Sequence, residues 1–316
     1  MGLYLGIDTS CYTTSVACVD EKGIVYDKRT MLSVKLGERG LRQSEGLFQH
    51  TRNLDALLPA ALVNLNLPDI CGVAVSSRPR PEPDSYMPVF LAGRMAASAL
   101  CAGLGLTPIH ISHQQGHLRA ALYGNEFLLE ELPMLGMHIS GGTTEIFIIG
   151  EGLSIRLIGG TKDLHAGQFV DRLGVAMGLP FPCGKRLEEL AGRARETNIK
   201  LPASVNGLHC SFSGVETAAR ALIGRVQESE LALAAYESMA HTFAKMILRA
   251  ATETGLSRVL LAGGVASSGL LRHMLLERLV DKNMRLFFGL PELSSDNAVG
   301  AALLAMDKGG TELNRK

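Results

Sequence analysis

Two imidazoles four residues apart, in His113-Gln-Gln-Gly-His117, could clamp a metal ion. On a helix, positions i and i+4 share a face with Cβ atoms about 5 to 6 Å apart. The pattern also arises by chance in a chain with nine histidines, so a solvated or core pair stays open beside it. Asp296, in Leu293-Ser-Ser-Asp-Asn-Ala298, offers a third ligand or the N-cap of the apolar helix that follows it. His138 offers a fourth ligand or an ordinary strand histidine. Three histidines and a carboxylate suit Zn²⁺ or Fe²⁺.

A second set of residues suits phosphates. Ser140-Gly-Gly-Thr-Thr144 and Ala262-Gly-Gly-Val-Ala-Ser-Ser268 present backbone N–H groups and hydroxyls where a nucleotide could approach. Tight turns with nothing bound fit them equally well. The chain holds 35 glycines in 316 residues, about 11% against a usual roughly 7%, so close backbone approaches recur. No G-x-x-x-x-G-K-[ST], strand-linked G-x-G-x-x-G, H-E-x-x-H or G-x-S-x-G occurs, which excludes P-loop, dinucleotide, zincin and nucleophile-elbow chemistry.

The elements that must hold these residues are organised by a repeat. Leu5-Gly-Ile-Asp-Thr-Ser-Cys-Tyr-Thr-Thr-Ser-Val16 matches Leu135-Gly-Met-His-Ile-Ser-Gly-Gly-Thr-Thr-Glu-Ile146 at an offset of 130 residues. Each copy reads as a β-hairpin whose turn carries Ser and Thr, and Asp8 in the first copy stands where His138 stands in the second. The reading is a duplicated α/β lobe with a cleft between the copies. Periodicity predicts helices over residues 49–65, with a kink at Pro59, and over 89–104, 231–254, 270–280 and 297–306. Strands are predicted over 71–76, 108–112, 258–262 and 285–288, with a frayed tail over 307–316. The uncharged run 95–118 reads as a buried helix followed by a strand, because its Gly, Pro and His residues suit a membrane span poorly. Residues 78–88, with four prolines, form a stiff loop at a surface, at the cleft rim or at a partner surface.

With 31 basic and 31 acidic side chains, 47% apolar residues and 20% charged ones, the sequence is that of a globular protein without a global pull for nucleic acid or membrane. Six cysteines without a C-x-x-C pair read as reduced core thiols, and the N-terminus lacks the basic start of a secretory signal, which together suggest the cytoplasm.

Taken in order, the motifs resemble the family of tRNA threonylcarbamoyladenosine transferases called TsaD or Gcp, over about residues 6 to 305. They are Gly-Ile-Asp-Thr-Ser-Cys11, His113-x-x-x-His117, Ser140-Gly-Gly-Thr-Thr144, Ala166-Gly-Gln-Phe-Val-Asp171, Gly178-Leu-Pro-Phe-Pro-Cys-Gly184, Ser211-Phe-Ser-Gly214, Ala262-Gly-Gly-Val-Ala266 and Ser295-Asp-Asn-Ala298. The resemblance implies the actin/hexokinase-like ASKHA fold, an α/β duplication of two lobes around a cleft. Residues 1–130 would form the first lobe, 131–295 the second with its nucleotide turns, and 296–316 a returning C-terminal helix and tail. It implies an iron or zinc ion on His113, His117 and Asp296, with His138 at a position where some members add a tyrosine. It implies an adenine nucleotide, ATP or threonylcarbamoyl-AMP, on Ser140, Gly141, Gly142, Asp171 and Gly184, with Gly264 and Ser268 near the base or ribose. The implied reaction carries a threonylcarbamoyl group from its adenylate to N6 of adenosine 37 in tRNA. The implied partners are tRNA and a TsaB-like paralogous protein, with a dimer allowed and no membrane.

The chain departs from the family where acids are expected. After the cysteine the family reads Asp-Glu-Thr-Ser, and here Tyr12-Thr13-Thr14-Ser15 stands. The Gly-Pro-Gly-Leu loop is replaced by the arginine- and proline-rich residues 78–88, Asp-Asp-Ala by Asp163-Leu-His165, a glutamate by Gln168 and an asparagine by Ser268. Asp8 is then the candidate to replace the lost carboxylates as proton acceptor. The pattern is that of a divergent paralogue, either a transferase with an altered acid/base apparatus or a non-catalytic partner subunit that binds nucleotide and metal.

Overall fold

The computed structural model describes residues 2–10, 12–34, 41–63, 65–82 and 84–313, and Cys11 lies outside them. The chain divides into two compact units, Met1–Tyr123 with Ser295–Lys316, and Gly124–Ser294.

In the first unit, β1 (Leu3–Asp8), β2 (Thr13–Asp20) and β3 (Gly23–Met31) form an antiparallel meander. Helix α1 (Gln43–Leu62) leads to β4 (Ile70–Arg78), which pairs parallel with β1. Helix α2 (Phe90–Leu104), β5 (Ile109–Ser112) and α3 (His113–Ala121) follow, and β5 pairs parallel with β4. The sheet order is β3-β2-β1-β4-β5. Leu5, Ile7, Val16, Val73 and Val75 are fully buried, the nearly unbroken apolar pattern of strands covered on both faces. Helices α1 and α2 close one side through Leu54, Ala92, Ala97 and Cys101.

The second unit repeats this order. Strands β6 (Met134–Ile139), β7 (Thr144–Gly150) and β8 (Ser154–Thr161) form its meander. Helices α4 (Ala166–Ala176) and α5 (Gly184–Ala191) precede a short hairpin of β9 (Ser204–Asn206) and β10 (His209–Ser211). Then come α6 (Ser213–Arg220), the 27-residue α7 (Glu228–Thr254), β11 (Arg258–Ala262), α8 (Gly269–Leu279) and β12 (Arg285–Phe288). The sheet runs β12-β11-β6-β7-β8-β10-β9, with β11 parallel to β6 and β12 parallel to β11. Phe169 stacks on Phe212 at a centroid distance of 5.7 Å, and Phe243 packs tilted against Phe212 at 5.8 Å in its core. Gly255, at φ 73°, ends α7 in the left-handed conformation that glycine enters without a Cβ clash.

The duplication is visible residue by residue. Asp8 pairs with Ser15 and His138 with Glu145, the same two ladder positions 130 residues apart. Helix α9 (Val299–Leu313) belongs to the first unit and packs on β1, β2, β4 and α3.

Several elements differ from the sequence reading. The tail expected to fray is helical to Leu313, because Asp307 is tied to the buried Arg119 of α3. Helix α1 starts at Gln43, since its first turn, Gln-Ser-Glu-Gly, carries no apolar period. The uncharged run 95–118 spans α2, β5 and most of α3, and the β9–β10 hairpin is too short to announce itself. Among the described residues the five cysteines are free thiols, and no helix is long and apolar enough to cross a membrane.

Candidate metal centre and glycine-lined turns

Ser112 starts α3 with a reciprocal cap. Its Oγ accepts from Gln115 N at 3.2 Å, and Gln115 Oε1 accepts from Ser112 N at 3.0 Å. That fixes His113 at the first helical position and His117 one turn on. Asp296 comes from the loop before α9, which is held from three sides. Ser15 Oγ accepts from Ala298 N at 2.8 Å, Arg29 Nη1 donates to Ser295 Oγ at 2.9 Å, and Asn297 Oδ1 accepts from Val299 N at 3.0 Å. Asn297, not Asp296, caps the helix, which leaves the Asp296 carboxylate for the histidines.

The three side chains meet. His117 Nε2 lies 3.0 Å from His113 Nε2 and 3.2 Å from Asp296 Oδ1, and His113 Nε2 lies 3.5 Å from that oxygen. Among the described residues these three form the one group of histidine, cysteine and carboxylate atoms close enough to share an ion. Metal bonds of about 2.0 to 2.1 Å put tetrahedral ligands about 3.3 Å apart and cis octahedral ligands about 2.9 Å apart. Two of the observed edges, 3.0 and 3.2 Å, lie within that range and the third, 3.5 Å, lies just beyond it, so the donor set fits a divalent ion, with zinc and ferrous iron both compatible with two imidazoles and a carboxylate.

Asp8 stands behind this tripod. It is 1% exposed, and its Oδ2 accepts from His113 Nδ1 at 2.8 Å and from Ser76 Oγ at 2.5 Å, while Oδ1 accepts from Ser10 N at 2.8 Å and from Ser10 Oγ. Its oxygens are therefore engaged, and the carboxylate read from sequence as a proton acceptor instead fixes the His113 tautomer and turns Nε2 toward Asp296. Burial alone would raise the Asp8 carboxyl, but the facing His113 charge and the hydrogen bonds hold it below its ordinary value. Burial opposes the charge on His113, yet Asp8 and Asp296 on either side hold the imidazole well above its ordinary value. Asp296, despite burial, is held well below by the hydrogen bonds and charges of both histidines.

Helices α3 and α9 cross tightly beneath the tripod. A Cβ on Gly300 would lie 1.8 Å from the Gly116 carbonyl oxygen. One turn further, Arg119 is 2% exposed, and its Nε and Nη2 donate to Asp307 Oδ2 and Oδ1 at 2.7 and 3.1 Å. Neither contact was read from the sequence. A glycine inside a helix at position 116 was the available signal for the first, but nothing local names its partner 184 residues away.

His138 lies on β6 of the second unit and is not a member of the three-residue group. The glycine-rich turns also lie in that unit, at the carboxyl ends of β6 and β11. Gly263, at φ 100°, brings the turn against Ile139, whose carbonyl accepts from Val265 N at 3.0 Å. Gly167 at the start of α4 abuts Gly141, and Ser140 O accepts from Gly167 N at 3.1 Å. Asp171 Oδ1 accepts from Cys183 N at 2.8 Å, setting the start of α5 and Gly184, and burial raises its carboxyl. Ser268 caps α8 by accepting from Leu271 N at 3.2 Å. Buried Tyr236 of α7 donates to Gly184 O at 3.3 Å and so ties α7 to the start of α5. Gly141, Gly142, Gly184 and Gly264 have ordinary backbone angles, and a Cβ on any of them would meet nothing within 4 Å. Among the described residues no packing requires glycine at these four positions.

Tyr12 is 41% exposed and Thr13 pairs with Met31 in the β2–β3 ladder. Behind them Thr14 Oγ1 lies 2.8 Å from Nδ1 of the fully buried His50 and accepts from Asn53 Nδ2 at 3.1 Å, a cluster the sequence reading missed.

Residues 47–303 match the family model described as TsaD, tRNA N6-adenosine threonylcarbamoyltransferase. The enzyme of that name from Symbiobacterium thermophilum is 32% identical over 94% of this chain and 89% of its own. Among solved structures, component A of the Acidaminococcus fermentans (R)-2-hydroxyglutaryl-CoA dehydratase superposes with a TM-score of 0.61 at 16% identity, over 98% of this chain and all of that one. A ROK family glucokinase from Streptomyces griseus does so with a TM-score of 0.52 at 12% identity, over 97% of this chain and all of that one. Both likenesses concern the fold, the duplicated actin/hexokinase-like architecture.

Proposed function

This chain belongs to the tRNA N6-adenosine threonylcarbamoyltransferase family, and we propose that it is a metal- and adenine-nucleotide-binding transferase carrying a threonylcarbamoyl group to N6 of adenosine 37 in tRNA. The observation that carries this reading is the tripod of His113, His117 and Asp296, whose edges of 3.0 to 3.5 Å suit one divalent ion.

In the transfer, the adenosine amine forms a bond to the carbamoyl carbon of threonylcarbamoyl-AMP. The bond from that carbon to the phosphate oxygen breaks, AMP leaves with the electron pair, and the proton lost by the amine passes to the departing AMP phosphate or to water. Fe²⁺ or Zn²⁺ on the tripod would act as a Lewis acid toward the carbamoyl oxygen. Asp8 keeps His113 Nε2 aimed, and Ser76 and Ser10 keep Asp8 in place. Ser140, Gly141 and Gly142 would take the adenylate phosphate, Asp171 and Gly184 the neighbouring polar groups, and Gly264 and Ser268 the base or ribose. These residues bind and orient the donor, and positioning is the larger part of such catalysis.

Tyr12 and Thr13 stand where the family has acids, and this favours a second reading, a non-catalytic subunit that keeps both sites for assembly with a TsaB-like paralogue. The two readings separate in a reconstitution with threonylcarbamoyl-adenylate, unmodified tRNA and the family's partner proteins. A carboxylate near a reacting amine is worth about 10²- to 10⁴-fold, so the wild-type chain should transfer slowly and the Tyr12→Asp/Thr13→Glu variant faster. Inactivity of both moves the chain to the second reading. Transfer by the wild type at the full rate of a family enzyme contradicts the weight given to the missing acids.

A further inference from the structure

Helix α7 turns one stripe of side chains toward the segment that precedes β9. Ala234, Glu237, Ser238 and His241 follow the i, i+3, i+4, i+7 spacing of a single helix face. Ser238 is buried, and its Oγ donates to Pro202 O at 2.7 Å, which pins the segment to the helix. Between them lies a cavity of about 290 Å³, lined by that stripe, by Ile199, Lys200, Leu201 and Ala203 of the segment, and by Arg278 in the last turn of α8. All of these residues lie in the second unit, and no residue of the metal tripod or of the glycine turns is among them. Pockets for drug-sized ligands run from about 300 to 1,000 Å³, so this cavity suits a smaller solute.

Its charged groups carry both signs and do not satisfy one another. Lys200 and Arg278 are exposed cations, Glu237 is a half-buried carboxylate, and none of the three has an ion pair among the described residues. Burial and the charges of Lys245 and Arg278 push the His241 imidazole down, so it adds no third positive charge near pH 7. Opposite charges around one small space thus stand farther apart than the about 4 Å of an ion pair. A ligand with a carboxylate and an ammonium on one carbon bridges such a gap, whereas a simple anion would leave Glu237 facing it unpaired. Ile199, Leu201, Ala203 and Ala234 add an apolar wall that suits a short aliphatic side chain.

We propose that this cavity binds a free α-amino acid with an aliphatic side chain, its carboxylate held by Lys200 and Arg278 and its ammonium by Glu237. Calorimetry on the full chain with L-valine and L-leucine, up to millimolar concentrations, tests it. Each is compared with its analogue lacking the ammonium, 3-methylbutanoate or 4-methylpentanoate, and with its analogue lacking the carboxylate, 2-methylpropylamine or 3-methylbutylamine. At least one amino acid should bind, with both its analogues weaker by about tenfold. Arg278→Gln and Glu237→Gln, checked for fold by circular dichroism, should each weaken amino-acid binding about tenfold. Lys200→Gln, outside the helices, gives the same reading if a helix variant fails to fold. Arg249→Gln, which removes only the exposed pair with Glu253 on α7, serves as control and should match wild type, and Zn²⁺ titration should be the same in every variant. No heat with either amino acid would overturn the proposal. Binding of the deaminated acid as tightly as the amino acid, with Glu237→Gln unaffected, would make the cavity a plain anion site and also overturn it. Amino-acid binding that survives unchanged in the Arg278→Gln/Glu237→Gln double variant would place the ligand elsewhere, with the same consequence.

Discussion

Gly300 and Gly116 bring α9 and α3 so close that a single Cβ on Gly300 would sit 1.8 Å from the Gly116 carbonyl. His113 and His117 project from one of these helices and Asp296 immediately precedes the other, so this contact sets the edges of the tripod. Gly300→Ala must push the helices apart, and overpacking of this kind costs about 1 to 3 kcal/mol. Chemical denaturation should show that loss, and metal affinity should fall with it. Unchanged stability would mean that the two helices are not closely apposed.

Asp8→Asn keeps the size of the side chain but removes the charge facing His113 Nδ1. Loss of such a partner typically lowers metal affinity by about 10- to 100-fold. Competition against a chelator should read that loss, with the fold checked by circular dichroism. Wild-type affinity in a folded variant would remove Asp8 from the centre.

Arg119 and Asp307 make a second clamp between the same helices. Asp307→Ala leaves a buried guanidinium uncompensated and should cost about 3 to 5 kcal/mol. Arg119→Met removes the buried charge altogether and should cost less. The reverse order in urea unfolding would contradict the assignment.

Gly142 has nothing within 4 Å of where a Cβ would stand. Gly142→Val should therefore leave thermal stability within about 0.5 kcal/mol but weaken ATP binding by calorimetry. An unchanged ATP affinity would move the nucleotide away from this turn.

Asp163 starts α6 by accepting from Phe212 N at 2.8 Å and Ser213 N at 3.2 Å, and it also accepts from the Ser213 hydroxyl. Burial works against its charge, but these hydrogen bonds lower its pKa from 3.8 to about 2. A depressed carboxyl contributes stability above its unfolded value, and that stability is lost as pH falls from about 4 through 2. Stability measured across that window should fall less steeply in Asp163→Asn than in wild type.

What the sequence made legible was local or repeated. The histidine pair shows as an i, i+4 spacing, and the duplicated sheets show because their meanders keep the same residues at an offset of 130. Asp296 was ambiguous because an Asp before an apolar helix is usually its cap, and only Asn297 taking that role settles what Asp296 faces. Asp8 was visible as a carboxylate but not as the partner of His113, since the two are 105 residues apart and meet only when β1 pairs with β4 and β4 with β5. Arg119 was unreadable for the same reason, because a charged residue in a short polar helix gives no sign of a burial made by α9.

The claim on which the rest depends is that the tripod holds one divalent ion. Metal-free protein titrated with Zn²⁺, and with Fe²⁺ under anaerobic conditions, should take up one ion per chain, and X-ray absorption should find two nitrogen ligands at about 2.0 to 2.1 Å with oxygen completing the shell. His117→Ala should abolish that uptake. Sub-stoichiometric binding, or full binding that survives His117→Ala, would contradict the account.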